Sequence, residues 1–262
     1  MTDKPYDEPV ARLLTLGECH RARWPDYRAL GLGPEHIPEL IRMVADPDLN
    51  HAGREGAAVW APAHAWRALG QLCAVDAVEP LLELLDELVM DDWALEEIPE
   101  VMGLIGPAAI PTLRAFLAQP ERREYARIGA ADALKEIGSR HRGARDECVA
   151  ALAERLAVRE EGARGLNGFL VSNLLDLDGR EALPALEAAF EAGCVDESVA
   201  GGWRDVRRHF GLALSPEDRP GRPASGRDLE PPGSRRPDPS RAKAKRKKKL
   251  AKASQQKNRK KR

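Results

Sequence analysis

Three stretches of this chain can be laid over one another, and no other feature limits its fold so much. They are AWRALGQLCAVDAVEPLLELL from Ala65, PEVMGLIGPAAIPTLRAFL from Pro99 and AADALKEIGSRHRGARDECVAAL from Ala130. Each reads as a helix rich in small residues, then a stop, then a second apolar helix. The stops are Cys73, Gly106 and Gly138, 33 and 32 residues apart, and a fourth copy, SNLLDLDGREALPALEAAF, puts Asp178 at the same point 40 residues on. A period of this length is the mark of stacked helix pairs. One pair cannot bury its own apolar face, so consecutive pairs pile into a continuous core with capped ends. Glycine suits the stop because it tolerates positive φ. Pro107 and Pro111 suit the opening turn of the following helix, where a missing N–H costs little.

Apolar spacing agrees along the body. Val78, Leu81, Leu82, Leu85 and Leu88 form a one-sided helical stripe, as do Ile98, Val101, Met102 and Ile105. Leu166, Phe169, Leu170, Leu174 and Leu177 form another, and Val199, Trp203, Val206 and Phe210 a last one. Aromatic residues are only 5% of the chain while Ala and Leu dominate, which disfavours strands. Helices near 8–17 and 35–45 would cap the start, the helix with Trp203 and Phe210 would close the other end, and Pro47–Ala58 reads as a loop. Residues 1–214 are therefore expected to be an all-α body wound as a right-handed α-α superhelix. Residues 215–240 hold seven Pro, three Gly and four Ser and read as a linker. Residues 241–262 carry one large aliphatic side chain and are expected to be a disordered tail.

The run Arg127-Ile-Gly-Ala-Ala-Asp-Ala-Leu-Lys-Glu-Ile-Gly138 resembles the R-x-x-A-A-x-A-L-x-x-I-G helix of HEAT-like repeats, including those of bilin-lyase type. Ile105-Gly106-Pro-Ala-Ala-Ile-Pro111 is similar to the turn and second helix of the same unit. From about Trp24 to Leu212 the chain resembles uncharacterised bacterial HEAT-repeat proteins. Some relatives of that kind carry a C-terminal cysteine-rich zinc module. No cysteine follows Cys194 here, so nothing is inherited from that module. The resemblance implies a HEAT-like solenoid and says little about activity.

Charge is segregated. Residues 1–214 hold 23 Lys and Arg against 37 Asp and Glu, whereas residues 241–262 hold 13 Lys and Arg and no acid. The 13 are Arg241, Lys243, Lys245, Arg246, Lys247, Lys248, Lys249, Lys252, Lys257, Arg259, Lys260, Lys261 and Arg262. Such a tail neutralises phosphates and releases counterions, giving affinity for RNA, DNA or a ribosome without sequence specificity. It has no aromatic residue for base stacking. An acidic protein surface, or a mere solubilising charge run, are the other readings. A linker of 26 residues spans roughly 25–30 Å, and surface charges are screened beyond about 8 Å at physiological salt. The tail is therefore expected to act independently of the acidic body.

Between Arg67 and Arg114 there are ten acids and no Lys or Arg. Asp91, Asp92, Glu96, Glu97 and Glu100 lie in this stretch, which on a solenoid would form a continuous negative patch. The patch would receive a basic partner segment or the chain's own tail, or simply be a solvated face. Trp60, His64 and Arg67 fall at i, i+4 and i+7, on one helix face. They would be either a recognition spot in the groove or a Trp packed between repeats beside a capping Arg. Asn167 and Asn173 are expected to bond to the next repeat's backbone rather than to a ligand.

Cys19, Cys73, Cys148 and Cys194 are scattered and make no metal or disulfide pattern. The six histidines show no HExxH spacing. No catalytic residue, cofactor or metal is therefore expected. The N-terminal MTDKPYDEP lacks signal-peptide character, and no window reaches the length of a membrane span, so a cytoplasmic location is expected. The functional expectation is a non-catalytic scaffold whose solenoid binds an unidentified protein while the tail binds nucleic acid. The alternatives are a HEAT-type enzyme subunit of the bilin-lyase kind and a regulatory protein whose tail docks on its own acidic face.

Overall fold

The computed structural model describes residues 5–50, 56–87 and 92–213. Leu88, Asp91, the linker and the tail lie outside the described residues, and of Asp92 only the backbone is described. The described residues contain helices and no strand, and they form an all-α solenoid. Helix α1 (Ile37–Val44) follows a 3₁₀ turn at Val10–Thr15, and α2 (Pro47–Asn50) occupies part of the expected loop. Then come α3 (Ala61–Gln71), α4 (Val78–Glu87), α5 (Asp92–Ile105), α6 (Ile110–Leu117), α7 (Glu124–Arg140), α8 (Arg145–Ala157), α9 (Arg164–Asp176) and α10 (Leu183–Glu191). Short helices α11 (Glu197–Ala200) and α12 (Trp203–His209) end the body.

The helices stack in two layers. Helices α3, α5, α7 and α9 pack on one another in chain order, and α4, α6, α8 and α10 form the second layer against them. Helix α1 packs on α3 and α4 at one end, and α11 packs on α9 at the other. The stripes read from sequence face inward: Leu81, Leu85, Val101, Met102, Phe169 and Leu174 are all buried. Each second-layer helix is preceded by a 3₁₀ turn, beginning at Val75, Pro107, Arg142 and Arg180, so the period seen in the sequence is a period of structure. No single described helix is long and apolar enough to cross a membrane. Trp93–Ile105 with Pro107–Leu117 has the length only as a pair bent by 112°.

Three of the four expected stops hold. Cys73, Gly106 and Asp178 all have positive φ, at 53°, 91° and 49°. Gly138 does not stop its helix, because α7 continues to Arg140. A Cβ on Gly138 would stand 3.0 Å from Leu177 and 3.3 Å from Cys148, so its bare face serves close packing of the next repeat instead. The turn falls at His141, whose backbone N–H still bonds the Ile137 carbonyl at 2.8 Å while its ring Nε2 bonds the Gly103 carbonyl at 2.9 Å.

Arginines tie successive repeats. Arg127, the first residue of the motif quoted above, and Arg155 are both buried and donate from Nε to the Leu117 carbonyl at 3.1 and 3.2 Å. That carbonyl belongs to the last turn of α6, where helix carbonyls lack intrahelical partners and the dipole favours cations. Both guanidinium groups also pair with Glu160, whose carboxyl they hold below its ordinary range.

Candidate interaction site

Four of the chain's five tryptophans gather where α3 and α5 meet the N-terminal segment. At the centre is a buried ion pair. Arg67 donates from Nε to Glu97 at 2.7 Å and closes a second bond from Nη2, and the two side chains are 0% and 5% exposed. Glu97 also accepts from the Trp66 indole at 3.1 Å. The remaining guanidinium nitrogen, Nη1, is buried without a hydrogen-bond partner. The rings of Trp24 and Trp93, 4.9 and 5.6 Å from the guanidinium carbon, supply stabilisation there instead. Burial, the largest single influence, lowers the Arg67 pKa, but the hydrogen bonds and charge of Glu97 together with the neighbouring Cys19 and Tyr27 raise it by more in sum.

One turn earlier on α3, His64 is held by the N-terminal segment. Its Nε2 bonds the Gly17 carbonyl at 3.0 Å, so it carries the proton, and its Nδ1 accepts from the Tyr27 hydroxyl at 2.7 Å. Burial and the Arg67 charge lower its pKa, with the Gly17 bond opposing, and the ring is neutral. The Cys19 thiol lies 3.5 Å from Nε2, but burial pushes it up to about 12. An activated nucleophile needs a thiolate; this pair, a neutral thiol beside a neutral imidazole, is a packing contact. Gln71 completes the attachment by accepting from the Tyr27 backbone N–H at 2.9 Å and donating to the Pro25 carbonyl at 2.8 Å.

Of the two readings of Trp60, His64 and Arg67, the recognition spot does not hold for His64 and Arg67. His64 and Arg67 are buried beneath residues 17–27 and meet no groove, and Glu97 is buried with them. Trp60 precedes α3 and is half-buried, edge-on to Trp93 at 5.3 Å between ring centres. The acidic stretch is not one uncompensated patch either. Arginines from outside it reach its carboxylates: Arg122 bonds both oxygens of Glu83 at 2.6 Å, Arg21 pairs with Glu96, and Arg140 meets Glu100 at 3.1 Å. Asp76, Glu79 and Glu87 remain exposed. Asp91 and the Asp92 side chain lie outside the described residues. Asn167 bonds the Cys194 carbonyl of the next repeat at 2.9 Å, and Asn173 bonds Asp132 of the preceding one at 3.0 Å.

What the site offers solvent is the outer edge of α5. Of the residues from Trp93 to Ile105, only Trp93, Glu96, Glu100 and Leu104 are not buried. They fall at i, i+3, i+7 and i+11 and make one ridge. Arg21, 43% exposed, lies over the Trp93 ring at 4.7 Å. At the far end Leu104 and Trp24 line a shallow cleft of about 430 Å³ with Arg28 and Gln71. Sequence reasoning missed Arg21, Trp24, Tyr27 and Trp93. The available signal was the crowding of four tryptophans into residues 24–93 of a chain otherwise poor in aromatics.

Residues 64–87 match the sequence pattern of the PBS lyase HEAT-like repeat. This segment is a HEAT-like repeat. It spans α3 and α4, the helix pair that supplies His64, Trp66 and Arg67, and its first helix packs on α5 of the next pair. No curated protein and no solved structure matches the chain. Among the described residues no group of three or more His, Cys, Asp or Glu stands where it could hold a metal ion.

Proposed function

We propose that the protein is a non-catalytic adaptor: the HEAT-like solenoid binds a protein segment and the basic tail anchors the pair to nucleic acid without sequence preference. One observation carries the first half. The solvent edge of α5 joins Trp93, Glu96, Glu100 and Leu104 to Trp60 and Arg21, beside the cleft at Trp24. Tryptophan is among the residue types that dominate binding energy at interfaces, and here Trp24, Trp60 and Trp93 pack against the core. Two-layer solenoids commonly bind along such extended surfaces. The second half rests on the 13 cations among residues 241–262.

The test is fluorescence anisotropy of labelled single-stranded RNA and duplex DNA. The full chain is compared with a full-length variant whose 13 tail cations are glutamine. The proposal expects both nucleic acids to bind the full chain with similar affinity. Affinity should fall about 10³–10⁵-fold between 50 and 200 mM salt if six to ten cations engage phosphate, and the variant should lose binding. Equal binding by the two chains would move nucleic-acid recognition to the solenoid and refute the division of labour.

A further inference from the structure

The ridge on α5 already holds a guest. Arg21 comes from the loop that precedes Trp24, lies over the Trp93 ring at 4.7 Å and pairs with the Glu96 carboxylate. Trp60 stands edge-on to the same ring, and Glu100 is one turn further along the ridge, 45% exposed. An aromatic face with a carboxylate beside it is a receptor for a guanidinium. The ring attracts the cation through its quadrupole while the carboxylate accepts hydrogen bonds in the plane. Arg21 is itself 43% exposed. Its salt bridge is of the surface kind that contributes little, and the loop that bears it is fixed at Gly17 and Tyr27 rather than at Arg21.

We infer that Arg21 is an internal stand-in for an arginine of the protein partner, and that the ridge binds an arginine-bearing basic segment of a second protein by exchanging Arg21 for it. The assignment rests on the adaptor reading above and gives it a ligand chemistry. Complementarity is local to Trp93 and Glu96: Glu100 is already paired with Arg140, and the cleft at the end of the ridge places Arg28 as well as Asp26 beside Trp24 and Leu104. Exchange explains why a site this exposed keeps a competitor. The carboxylates stay paired and the ring stays covered until a segment with additional contacts along the ridge displaces one side chain. Arginine is favoured over lysine because its planar group stacks on the indole and bonds the carboxylate at once.

The experiment is anisotropy of a fluorescein-labelled peptide of alternating glycine and arginine, with the lysine counterpart and a glycine–glutamine peptide as controls, on the full chain at physiological salt. The arginine peptide should bind more tightly than the lysine peptide, and the glycine–glutamine peptide should not bind. Arg21→Ala should bind the arginine peptide about fivefold more tightly, because the competitor is gone. Glu96→Gln, a surface change that keeps the side-chain shape, should weaken it by a similar factor, and Trp93→Ala by tenfold or more. Weaker binding by Arg21→Ala, or the same affinity in all four chains, overturns the inference. Equal binding of all three peptides also overturns it while leaving an adaptor surface standing. Binding that appears only when the 13 tail cations are changed to glutamine gives the ridge to the chain's own tail and overturns the assignment to a second protein.

Discussion

Replacing Arg67 by Met tests whether the Arg67–Glu97 pair holds the first repeats together. The substitution keeps an apolar stem of similar length but leaves the Glu97 carboxylate, 5% exposed, without its two guanidinium bonds. Only the Trp66 indole would still donate to it, at 3.1 Å. An uncompensated charge of this kind costs about 3–5 kcal/mol. In a body of this size each kcal/mol moves the melting temperature by about 2–4 °C, so the expected fall is roughly 6–20 °C. Replacing both partners, Arg67→Met with Glu97→Leu, removes the buried charge. That chain should recover to within about 1–2 kcal/mol of the parent, the remaining deficit being the Trp66 indole left without an acceptor. Urea unfolding followed by circular dichroism and by tryptophan fluorescence measures both. Fluorescence should lose stability first, because four of the five tryptophans surround this pair and a stacked array unfolds by units. A loss below about 1 kcal/mol for Arg67→Met would refute the reasoning. A double variant as unstable as the single one would refute it too.

Three further outcomes are expected. His64 is neutral in the fold with its pKa below the usual 6.5. Its contribution is therefore fully present above about pH 6.5 and is lost as pH falls toward the folded pKa, with a slope of at most about 1.4 kcal/mol per pH unit. Urea midpoints from pH 8 to 5 should show this for the parent and less of it for His64→Asn. Burial holds the Cys19 thiol up to about 12 and Cys148 up to about 11, whereas Cys73 is exposed. A thiol reagent at pH 8 should therefore label Cys73 first and leave Cys19 and Cys148 until the chain unfolds, as peptide mapping would record. A Cβ at Gly168 would meet the Asp196 carbonyl at 2.8 Å and Val199 at 3.0 Å, and a backbone atom cannot yield as a side chain can. Gly168→Ala should cost about 1–3 kcal/mol by the same unfolding assay.

The repeat was legible because stacking forces each pair to repeat the same apolar spacing, and so were the stops at Cys73, Gly106 and Asp178. Gly138 misled because the same residue type answers two needs. A bare Cα lets a helix end, and it also lets Leu177 approach, and sequence alone does not separate them. The ridge on α5 was half legible. Glu96 and Glu100 stood out as acids, but their neighbours depend on where residues 17–27 cross α3, a long-range fact with no local pattern. For the same reason the recognition-spot reading of His64 and Arg67 and the patch reading of Glu97 fail, since all three are buried: nothing on α3 announces the segment that covers it. The acids between Arg67 and Arg114 looked uncompensated because their arginines come from elsewhere in the chain, Arg21 before the stretch and Arg122 and Arg140 after it.

In the proposed adaptor, protein recognition and nucleic-acid binding reside on separate parts of one chain. The most direct measurement is an ¹⁵N correlation spectrum of the full chain titrated with single-stranded RNA at low and then physiological salt. All five tryptophans lie in the body, so their indole signals report on the solenoid. Backbone signals of residues 241–262 should shift and broaden with RNA and return as salt is raised, while the five indole signals stay where they are. Indole signals of Trp60 or Trp93 moving with RNA would place the nucleic acid on the solenoid ridge and contradict this separation.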